Sequence, residues 1–238
     1  MITRRPSDTR GYFDHQWLKT HHSFSFAEYY DPAYVQWGPL RVLNEDVVAP
    51  GAGFPTHPHQ NMEIVTYVIS GAIAHEDSMG NSSTIQRGEI QRMTAGTGVF
   101  HSEANPLDDT PLHLFQVWFL PAQMGLEPGY EQKAWQAEAA TNALLPLVVP
   151  VGQAQDTQEA NPVEIHQDAY LLVSLLETGQ RVERSFSGRK GWVQVASGSV
   201  TLNGTALNAG DGAAIEEETD IVFEAVEPSE FLVFDLCP

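Results

Sequence analysis

The chain has 238 residues, with 12 lysines and arginines against 31 aspartates and glutamates, which gives a formal net charge of −19. A surface this negative repels phosphate, so the composition excludes nucleic acids and anionic membranes as partners held by general electrostatics. The single cysteine, Cys237, cannot form an internal disulfide, and the amino-terminal residues contain no apolar signal core. The composition therefore predicts a cytoplasmic globular protein.

Short apolar or alternating runs that end at turn residues recur along the chain and predict strands. In chain order these runs are 63–70, 112–120, 192–196, 199–202, 221–225 and 231–236. The dipeptide Asn203-Gly204 follows one of these runs and is a strong signal for a tight hairpin turn. Many short strands at this spacing predict an all-β sandwich or barrel.

The middle of the chain differs in composition from its two ends. Residues 131–145 are rich in Ala, Gln and Glu and predict a helix, and the polar segment 152–162 follows. We therefore predict a connection between two β domains in this region. The predicted division is an amino-terminal barrel at 1–121, a helix-containing connection at 122–162 and a carboxy-terminal barrel at 163–238.

Two histidines, His57 and His59, lie two residues apart after a glycine-containing turn. Alternate residues of an extended chain point to one face, so the two imidazoles project together. Glu63 has the same parity and joins them if the strand continues unbroken. A single pair of this kind also occurs as a partly buried polar pair in a strand, so it does not by itself establish a ligand site.

A second pair, His101 and Glu103, also shares one face and follows glycine turns. If the two strands meet in a barrel, three imidazoles and one carboxylate enter one pocket. Mixed nitrogen and oxygen ligands suit a divalent first-row metal such as iron, manganese, nickel, copper or zinc. The two pairs together therefore favour a metal site. The remaining histidines that we interpret as structural or surface residues are His15, His21, His22, His75, His113 and His166.

The motifs around these pairs resemble a known family. The run Gly51-x5-His57-x-His59-x3-Glu63-x7-Gly71 is similar to the first cupin motif, with one extra residue before the last glycine. The run Gly88-x5-Thr94-x-Gly96-x4-His101 is similar to the second, with threonine in place of the usual proline and a longer gap before the histidine. The strings T-H-P-H, E-I-V-T-Y-V-I-S-G, M-T-A-G-T-G and H-S-E resemble the pirin family. Residues 15–32 resemble its bacterial quercetinase branch, and further matches at 166–168, 191–195 and 234–236 extend the resemblance over nearly the whole chain.

The pirin resemblance implies a bicupin, in which two β-sandwich barrels lie face to face and the amino-terminal barrel alone binds metal. The family's metal ligands correspond to His57, His59, His101 and Glu103. Glu63, the usual fourth ligand in other cupins, then lies outside the ligand set, and its role stays open. The resemblance implies one divalent transition metal per chain, Fe(II) first, with manganese, nickel, copper, cobalt or zinc as alternatives.

The resemblance also implies a non-haem dioxygenase that opens flavonols such as quercetin with dioxygen and releases carbon monoxide. Glu103 would serve as the general base. One alternative is a metal-dependent regulatory protein that binds a protein partner without turning over flavonols. Another is a cupin that acts on a different phenolic metabolite. We expect the chain to be a monomer.

Ring cleavage requires an apolar slot that leads to the metal and admits a planar phenol. The candidate wall residues are Phe24, Phe26, Tyr29, Tyr30, Phe54, Met62 and Phe100. Regular alternation would turn Phe24 and Phe26 to one face. The alternative for each of these residues is a place in the barrel core.

Overall fold

The computed structural model describes residues 1–154 and 160–238. In these two ranges the regular structure is almost entirely strand, with one short helix, α1 (Ala137–Ala140), and one 3-10 turn (Ser7–Thr9). The predicted all-β class is confirmed. No helix in the described ranges is long and apolar enough to cross a bilayer.

Two sheets form the amino-terminal barrel. In spatial order, the seven-stranded sheet contains β12 (Gly129–Ala134), β9 (Glu89–Thr94), β6 (Glu63–Ser70), β11 (Leu112–Phe119), β4 (Leu40–Val48), β3 (Leu18–His22) and β2 (Gly11–Asp14). The four-stranded sheet contains β5 (Gly53–His59), β10 (Val99–Ala104), β7 (Ala72–Asp77) and β8 (Ser82–Gln86). Apolar side chains from both sheets, such as Val68, Ile73 and Leu114, pack between them. The two sheets therefore enclose one interior.

The carboxy-terminal barrel has the same two-sheet plan. Its seven-stranded sheet contains β1 (Ile2–Arg5), β20 (Gly212–Ile215), β17 (Lys190–Ser197), β22 (Ser229–Leu236), β15 (Ala169–Leu176), β13 (Leu145–Pro150) and β14 (Val163–Ile165). Its four-stranded sheet contains β16 (Arg181–Ser185), β21 (Asp220–Ala225), β18 (Ser199–Leu202) and β19 (Thr205–Asn208). Large side chains, among them Phe186, Phe223 and Phe231, are fully buried in this barrel's interior. The predicted two-barrel architecture is confirmed.

Strands cross over at the borders of the two barrels. The amino-terminal strand β1 pairs with β20 of the second barrel, in the register Ile2↔Ile215. Strand β12 belongs to the first barrel and β13 to the second. The domain division at 1–121, 122–162 and 163–238 stays a prediction. In the structure, β12 of the first barrel ends at Ala134, and the next strand, β13 of the second barrel, begins at Leu145.

The two seven-stranded sheets pack against each other and form a joint core between the barrels. Phe115 and Val117 of β11 lie in this core with Trp192 and Phe234 of the second barrel. The intervening Gln116 of β11 points to the interior of the first barrel. Because both faces of β11 are covered, its sequence is a nearly continuous apolar run rather than an alternating one.

The predicted helix at 131–145 is wrong for most of its length. Residues up to Ala134 form β12, which pairs with β9 in the register Glu131↔Arg92, and these two side chains also form an ion pair with N···O 3.1 Å. The buried Trp135 stacks on Tyr67 of the joint core. Helix propensity differs among residues by less than about 1 kcal/mol, and strand pairing with burial of a tryptophan overrides it. Of the predicted polar segment 152–162, residues 155–159 lie outside the described part of the chain.

The six predicted strands are confirmed, with bounds that differ by a few residues at most. The hairpin turn is confirmed as well, because Asn203 and Gly204 connect β18 to β19 with φ values of +46° and +84°. Two consecutive positive φ values are the requirement of a type I′ turn, which asparagine and glycine meet at low cost.

A buried ion pair holds the amino-terminal segment against the outer face of β4. Glu45 accepts hydrogen bonds from Nη2 of Arg10 at 2.6 Å and from Nε2 of His113 at 3.0 Å. Burial alone would raise the pKa of Glu45, but the bond from His113 and the charge of Arg10 lower it from 4.5 to about 2. A carboxyl with a lowered pKa in the folded state stabilises the fold above pH 4.5, and this contribution disappears as the pH falls towards 2.

We expect Glu45→Gln to lower the free energy of unfolding by about 2–3 kcal/mol at pH 7, and the difference from wild type to vanish near pH 2. Urea unfolding between pH 2 and 7 measures this difference. The exposed Glu227 offers a matched control, because Glu227→Gln removes no buried partner. A Glu45→Gln deficit that stays constant over this pH range would contradict the assignment.

Candidate metal centre

The adjacent strands β5 and β10 bring the two predicted ligand pairs together. Their register pairs His101 with His57 and Glu103 with Phe54, with an irregularity between the two pairs. The extra residue on β5 falls next to Pro55, and proline suits a bulge because it has no N–H for the ladder. As a result His57 and Phe54 both line the barrel interior, although they lie three residues apart.

A glycine allows these two strands to approach closely. A Cβ atom at Gly53 would lie 2.3 Å from the carbonyl oxygen of Glu103 and 2.5 Å from Cα of Ala104. A larger residue at this position would push β5 away from β10. The spacing of the imidazoles therefore depends on Gly53.

His57, His59 and His101 form one tight group, the imidazole triplet. The ring centroids of His57 and His101 are 4.4 Å apart, and His59 lies 4.8 Å from each. One ring nitrogen from each residue lies within 4.8 Å of the other two. His101 is buried, whereas His57 and His59 are half-buried, so the triplet faces both the barrel interior and solvent.

The backbone determines which nitrogen of His57 is free. Nδ1 of His57 lies 2.8 Å from the carbonyl oxygen of Pro55, and a carbonyl only accepts hydrogen bonds. Nδ1 therefore carries the hydrogen in the neutral ring. Nε2 of His57 is left with an unshared electron pair.

A chain of hydrogen bonds determines the same for His101. Nε2 of His75 lies 3.1 Å from Oδ2 of Asp77 and donates to it, so Nδ1 of His75 is an acceptor. Nε2 of Gln91 lies 3.3 Å from this acceptor and Nδ1 of His101 lies 3.4 Å from it. We assign the hydrogen of His101 to Nδ1, where it shares this acceptor with Gln91, so that Nε2 of His101 has an unshared pair. We interpreted His75 as a structural or surface residue, and its fully buried position beside His101 was missed.

The triplet fits a divalent transition metal. In these tautomers the Nε2 atoms of His57 and His101 face each other at 3.0 Å, an arrangement of two unshared pairs that a metal cation beside them would relieve. Two nitrogens about 2.1 Å from one metal and at right angles to each other lie about 3 Å apart. Burial and the neighbouring imidazoles lower the pKa of His59 to about 4 and that of His101 to about 3, so both rings are neutral at pH 7 and able to bind a metal.

Glu103 lies beside His101 but outside the triplet. It is buried, and both of its carboxylate oxygens accept hydrogen bonds from Nε2 of Gln116, at 2.9 and 3.0 Å. Burial raises the pKa of Glu103 to about 7, and the charge of Asp46 adds to this effect. Glu103 forms a second group of possible ligand atoms with His75 and His101, within 4.8 Å. Its role as the fourth ligand stays a prediction.

Glu63 lies at the contact between the barrels instead. Its Oε2 accepts a hydrogen bond from Oγ1 of Thr94 at 2.8 Å, and its Oε1 accepts one from Nδ1 of His166 at 2.9 Å. Both oxygens of this fully buried carboxylate therefore have protein partners. His166, the histidine of the second half of the chain, therefore takes part in the contact between the barrels. Within residues 1–154 and 160–238, the groups that could hold a metal all lie in the first barrel.

A cavity of about 380 Å³ lies over the imidazoles, between the two sheets of the first barrel. Its lining residues are Phe26, Asn44, Asp46, Phe54, Pro55, His57, His59, Ile64, His101, Glu103, Gln116 and Trp118. All four predicted ligand residues reach this one cavity. Its remaining wall is mostly aromatic or aliphatic, which suits a flat organic ligand.

The cavity wall differs from the predicted one. Phe26 and Phe54 line it, but Phe24 packs on Trp192 in the joint core, so the two phenylalanines do not share a face. A bend after β3 interrupts the alternation there. Met62 packs against the small apolar cluster of Ile64, Met93 and Val99. Phe100 and Tyr30 are exposed. Tyr29 accepts a hydrogen bond from the amino-terminal Arg5 and does not line the cavity either.

Besides Pro55 and Ile64, sequence reasoning missed Asn44, Asp46, Gln116 and Trp118 as lining residues. Asn44 and Asp46 are alternate residues of the polar triplet Asn44-Glu45-Asp46, which is flanked by apolar residues on both sides, and this is a usable signal for a polar site inside a barrel. Gln116 and Trp118 occupy the same parity in 112–120, but a periodicity of two does not tell which face meets the cavity.

Comparisons with known proteins agree with this architecture. The family model for pirin matches residues 3–119, and the model for the quercetinase C-terminal cupin domain matches residues 154–236. The chain is 42% identical to the quercetin 2,3-dioxygenase of Escherichia coli K12 over the full length of both, and 39% identical to a pirin-like protein of Caulobacter vibrioides over 99% of both. The crystal structure of the bacterial pirin YhhW from E. coli in complex with nickel(II) superposes with a TM-score of 0.93 at 40% identity, covering 100% of both chains.

Identity of this extent over the whole length, together with two matched cupin barrels, agrees with the motifs around His57 and His101. The chain belongs to the pirin family of two-barrel cupin proteins.

Proposed function

We propose that this protein is a metal-dependent dioxygenase that cleaves flavonols such as quercetin and releases carbon monoxide. In this proposal His57, His59, His101 and Glu103 hold one divalent transition metal, with Fe(II) as the first candidate. The single observation that carries it is the pair of free Nε2 atoms facing each other at 3.0 Å beneath an apolar cavity of about 380 Å³. Related proteins named quercetin 2,3-dioxygenase support the substrate class.

When bound, the metal would act as a Lewis acid towards the flavonol 3-hydroxyl group and bring dioxygen to the same place. The chain's own contribution to the proton transfer is Glu103, which would accept the hydroxyl proton. A general base works best with a pKa near the operating pH, and burial raises the pKa of Glu103 to about 7 before the charge of a bound cation is counted. The amide of Gln116 holds both carboxylate oxygens and so fixes the direction in which Glu103 accepts.

The cavity walls would position the flat ring system of the substrate. Trp118 stands edge-on to both His59 and Phe26, with ring centroids 4.8 and 5.4 Å apart. Phe54 stands edge-on to Trp17 at 5.2 Å on another side. These contacts restrain the aromatic walls, which exclude water from the reacting atoms and hold the substrate in a reactive orientation.

The test is dioxygen uptake and carbon monoxide release by metal-loaded protein supplied with quercetin and a panel of simpler phenols. We expect uptake with flavonols, and its loss in His101→Ala, which removes one free Nε2. Metal-loaded protein that consumes no dioxygen with any flavonol would overturn the proposal. The alternative of a regulatory protein, with a protein partner in place of a substrate, would then be favoured. Dioxygen uptake with other phenols but not with flavonols would favour a different phenolic substrate. The monomeric state and the cytoplasmic location stay predictions.

Metal stoichiometry gives an independent prediction. We expect one tightly held metal per chain, because both groups of possible ligands in the described residues share His101 and so cannot hold two ions at once. Elemental analysis of the reconstituted protein after dialysis measures this number. Two tightly held metals per chain would contradict a single site in the first barrel.

A further inference from the structure

Two buried polar side chains on β4 lack partners and line the cavity. Asn44 and Asp46 are 5% and 4% exposed, and Oδ1 of each makes no hydrogen bond within the described chain. They are alternate residues of one strand and therefore present their side chains to the same interior. Native structures pair nearly all buried polar atoms, so two such acceptors in one cavity point to a missing donor.

The neighbouring donors in the described residues leave Oδ1 of both side chains without a hydrogen bond. Arg41, the cation of β4, donates to the carbonyl oxygens of Ser25 and Val35, and Arg10 is paired with Glu45, which faces away from the cavity. Thr20 lies opposite Asp46 on β3 and its hydroxyl approaches the Asp46 carboxyl, yet Oδ1 of Asp46 has no hydrogen bond of standard geometry. Gln116 lies opposite Asn44 on β11, and its amide nitrogen is already used by Glu103.

The two acceptors belong to a different sheet from the imidazole triplet, while Asp46 is close enough to Glu103 for its charge to act on that carboxyl. Asn44 and Asp46 belong to the seven-stranded sheet, whereas His57 and His101 belong to the four-stranded sheet across the cavity. A flat ligand between the two sheets would reach the imidazoles with one edge and the acceptors with another. The walls between these edges are aromatic and offer few further hydrogen bonds.

We propose that Asn44 and Asp46 are specificity-determining residues, which accept hydrogen bonds from ring hydroxyl groups of the substrate remote from the hydroxyl near the imidazoles. This inference rests on the proposed function and names its substrate class as flavonols with several hydroxyl groups on their outer rings. A flavonol without such groups would leave both acceptors unpaired. Sites that hydrogen-bond a substrate hydroxyl reject analogues that lack it far more strongly than apolar pockets discriminate by shape.

The test compares quercetin with 3-hydroxyflavone, which keeps the 3-hydroxyl and lacks the others. For the wild-type protein we expect kcat/KM to favour quercetin by about 100-fold. In Asn44→Leu and Asp46→Leu we expect this preference to fall below about tenfold, with metal content still at one per chain. Asp46→Asn keeps an acceptor oxygen at the same place and should retain most of the preference.

Binding without turnover separates this inference from the proposed function. Quenching of tryptophan fluorescence under anaerobic conditions reports flavonol binding near Trp118, and the ratio of the two dissociation constants should show the same preference. If binding discriminates and the two leucine variants lose the discrimination while no flavonol is turned over, the recognition role stands and the dioxygenase proposal falls. If wild-type protein handles both flavonols equally well, or if both leucine variants keep the full preference, the recognition role is overturned. If the leucine variants fail to fold, equal handling of both flavonols by wild-type protein still overturns the recognition role, and retention of the preference in Asp46→Asn still supports it.

Discussion

Glu103→Gln is expected to weaken metal retention by at least 10- to 100-fold and to abolish flavonol turnover. Substitutions of residues that only support a metal ligand already cost about this factor, and a ligand should cost no less. The variant keeps the shape of the side chain and its contact with Gln116. It should therefore fold normally in its metal-free form, so a loss of metal reflects lost ligand charge. Competition against a chelator gives the metal affinity, and an oxygen electrode gives the turnover.

Glu63→Gln is the matched control for this experiment. Glu63 is an equally buried carboxylate of the same barrel, but its oxygens face Thr94 and His166 at the contact between the barrels. We expect this variant to keep its metal and to lose some thermal stability. If Glu63→Gln strips the metal while Glu103→Gln retains it, the ligand set of an ordinary cupin applies and ours is wrong.

Trp192→Ala is expected to have the largest effect on stability, a loss of about 3–5 kcal/mol in the free energy of unfolding. Trp192 is fully buried in the joint core and packs on Phe24 of the first barrel with ring centroids 4.8 Å apart. Its ring also passes over Gly212, where a Cβ atom would lie 2.7 Å from Cζ2. Because this ring contacts both barrels, we expect both to unfold in a single transition at a lower temperature.

Trp118→Ala serves as the comparison for this change. Trp118 is half-buried and borders the cavity. Its removal should therefore lower the free energy of unfolding by less than Trp192→Ala does, and should weaken flavonol binding by more. Calorimetry and denaturant unfolding measure the stabilities of both variants. Two separate transitions in Trp192→Ala, or a smaller loss than in Trp118→Ala, would show that the joint core does not couple the barrels.

The two barrels and the imidazole triplet could be predicted because their signals are local. Alternating residues in an extended chain share a face. Each ligand pair, His57 with His59 and His101 with Glu103, can therefore be recognised from three consecutive residues. The turn at Asn203-Gly204 is equally local, since the φ values that it requires suit few other residues. None of these inferences depends on which residues lie across the barrel.

The helix at 131–145 and the cavity wall failed for the opposite reason. Whether 131–134 forms helix or strand depended on the free edge of β9, which lies about 40 residues earlier in the chain. Phe24 and Phe26 differ in environment because the chain bends after β3 and because Phe24 packs on Trp192 of the second barrel. Local propensities are worth too little to outweigh such contacts.

The sequence by itself determined the all-β class, the family and the four residues proposed as ligands, because strand periodicity and motif spacing are properties of adjacent residues. Only the tertiary structure decided which nitrogen of His57 and His101 is free, since Pro55, His75 and Asp77 set this through hydrogen bonds. It also decided that Glu63 ties the barrels together and that Asn44 and Asp46 face the imidazoles across a cavity. These features depend on which strands become neighbours, and strand pairing is settled by packing over the whole chain.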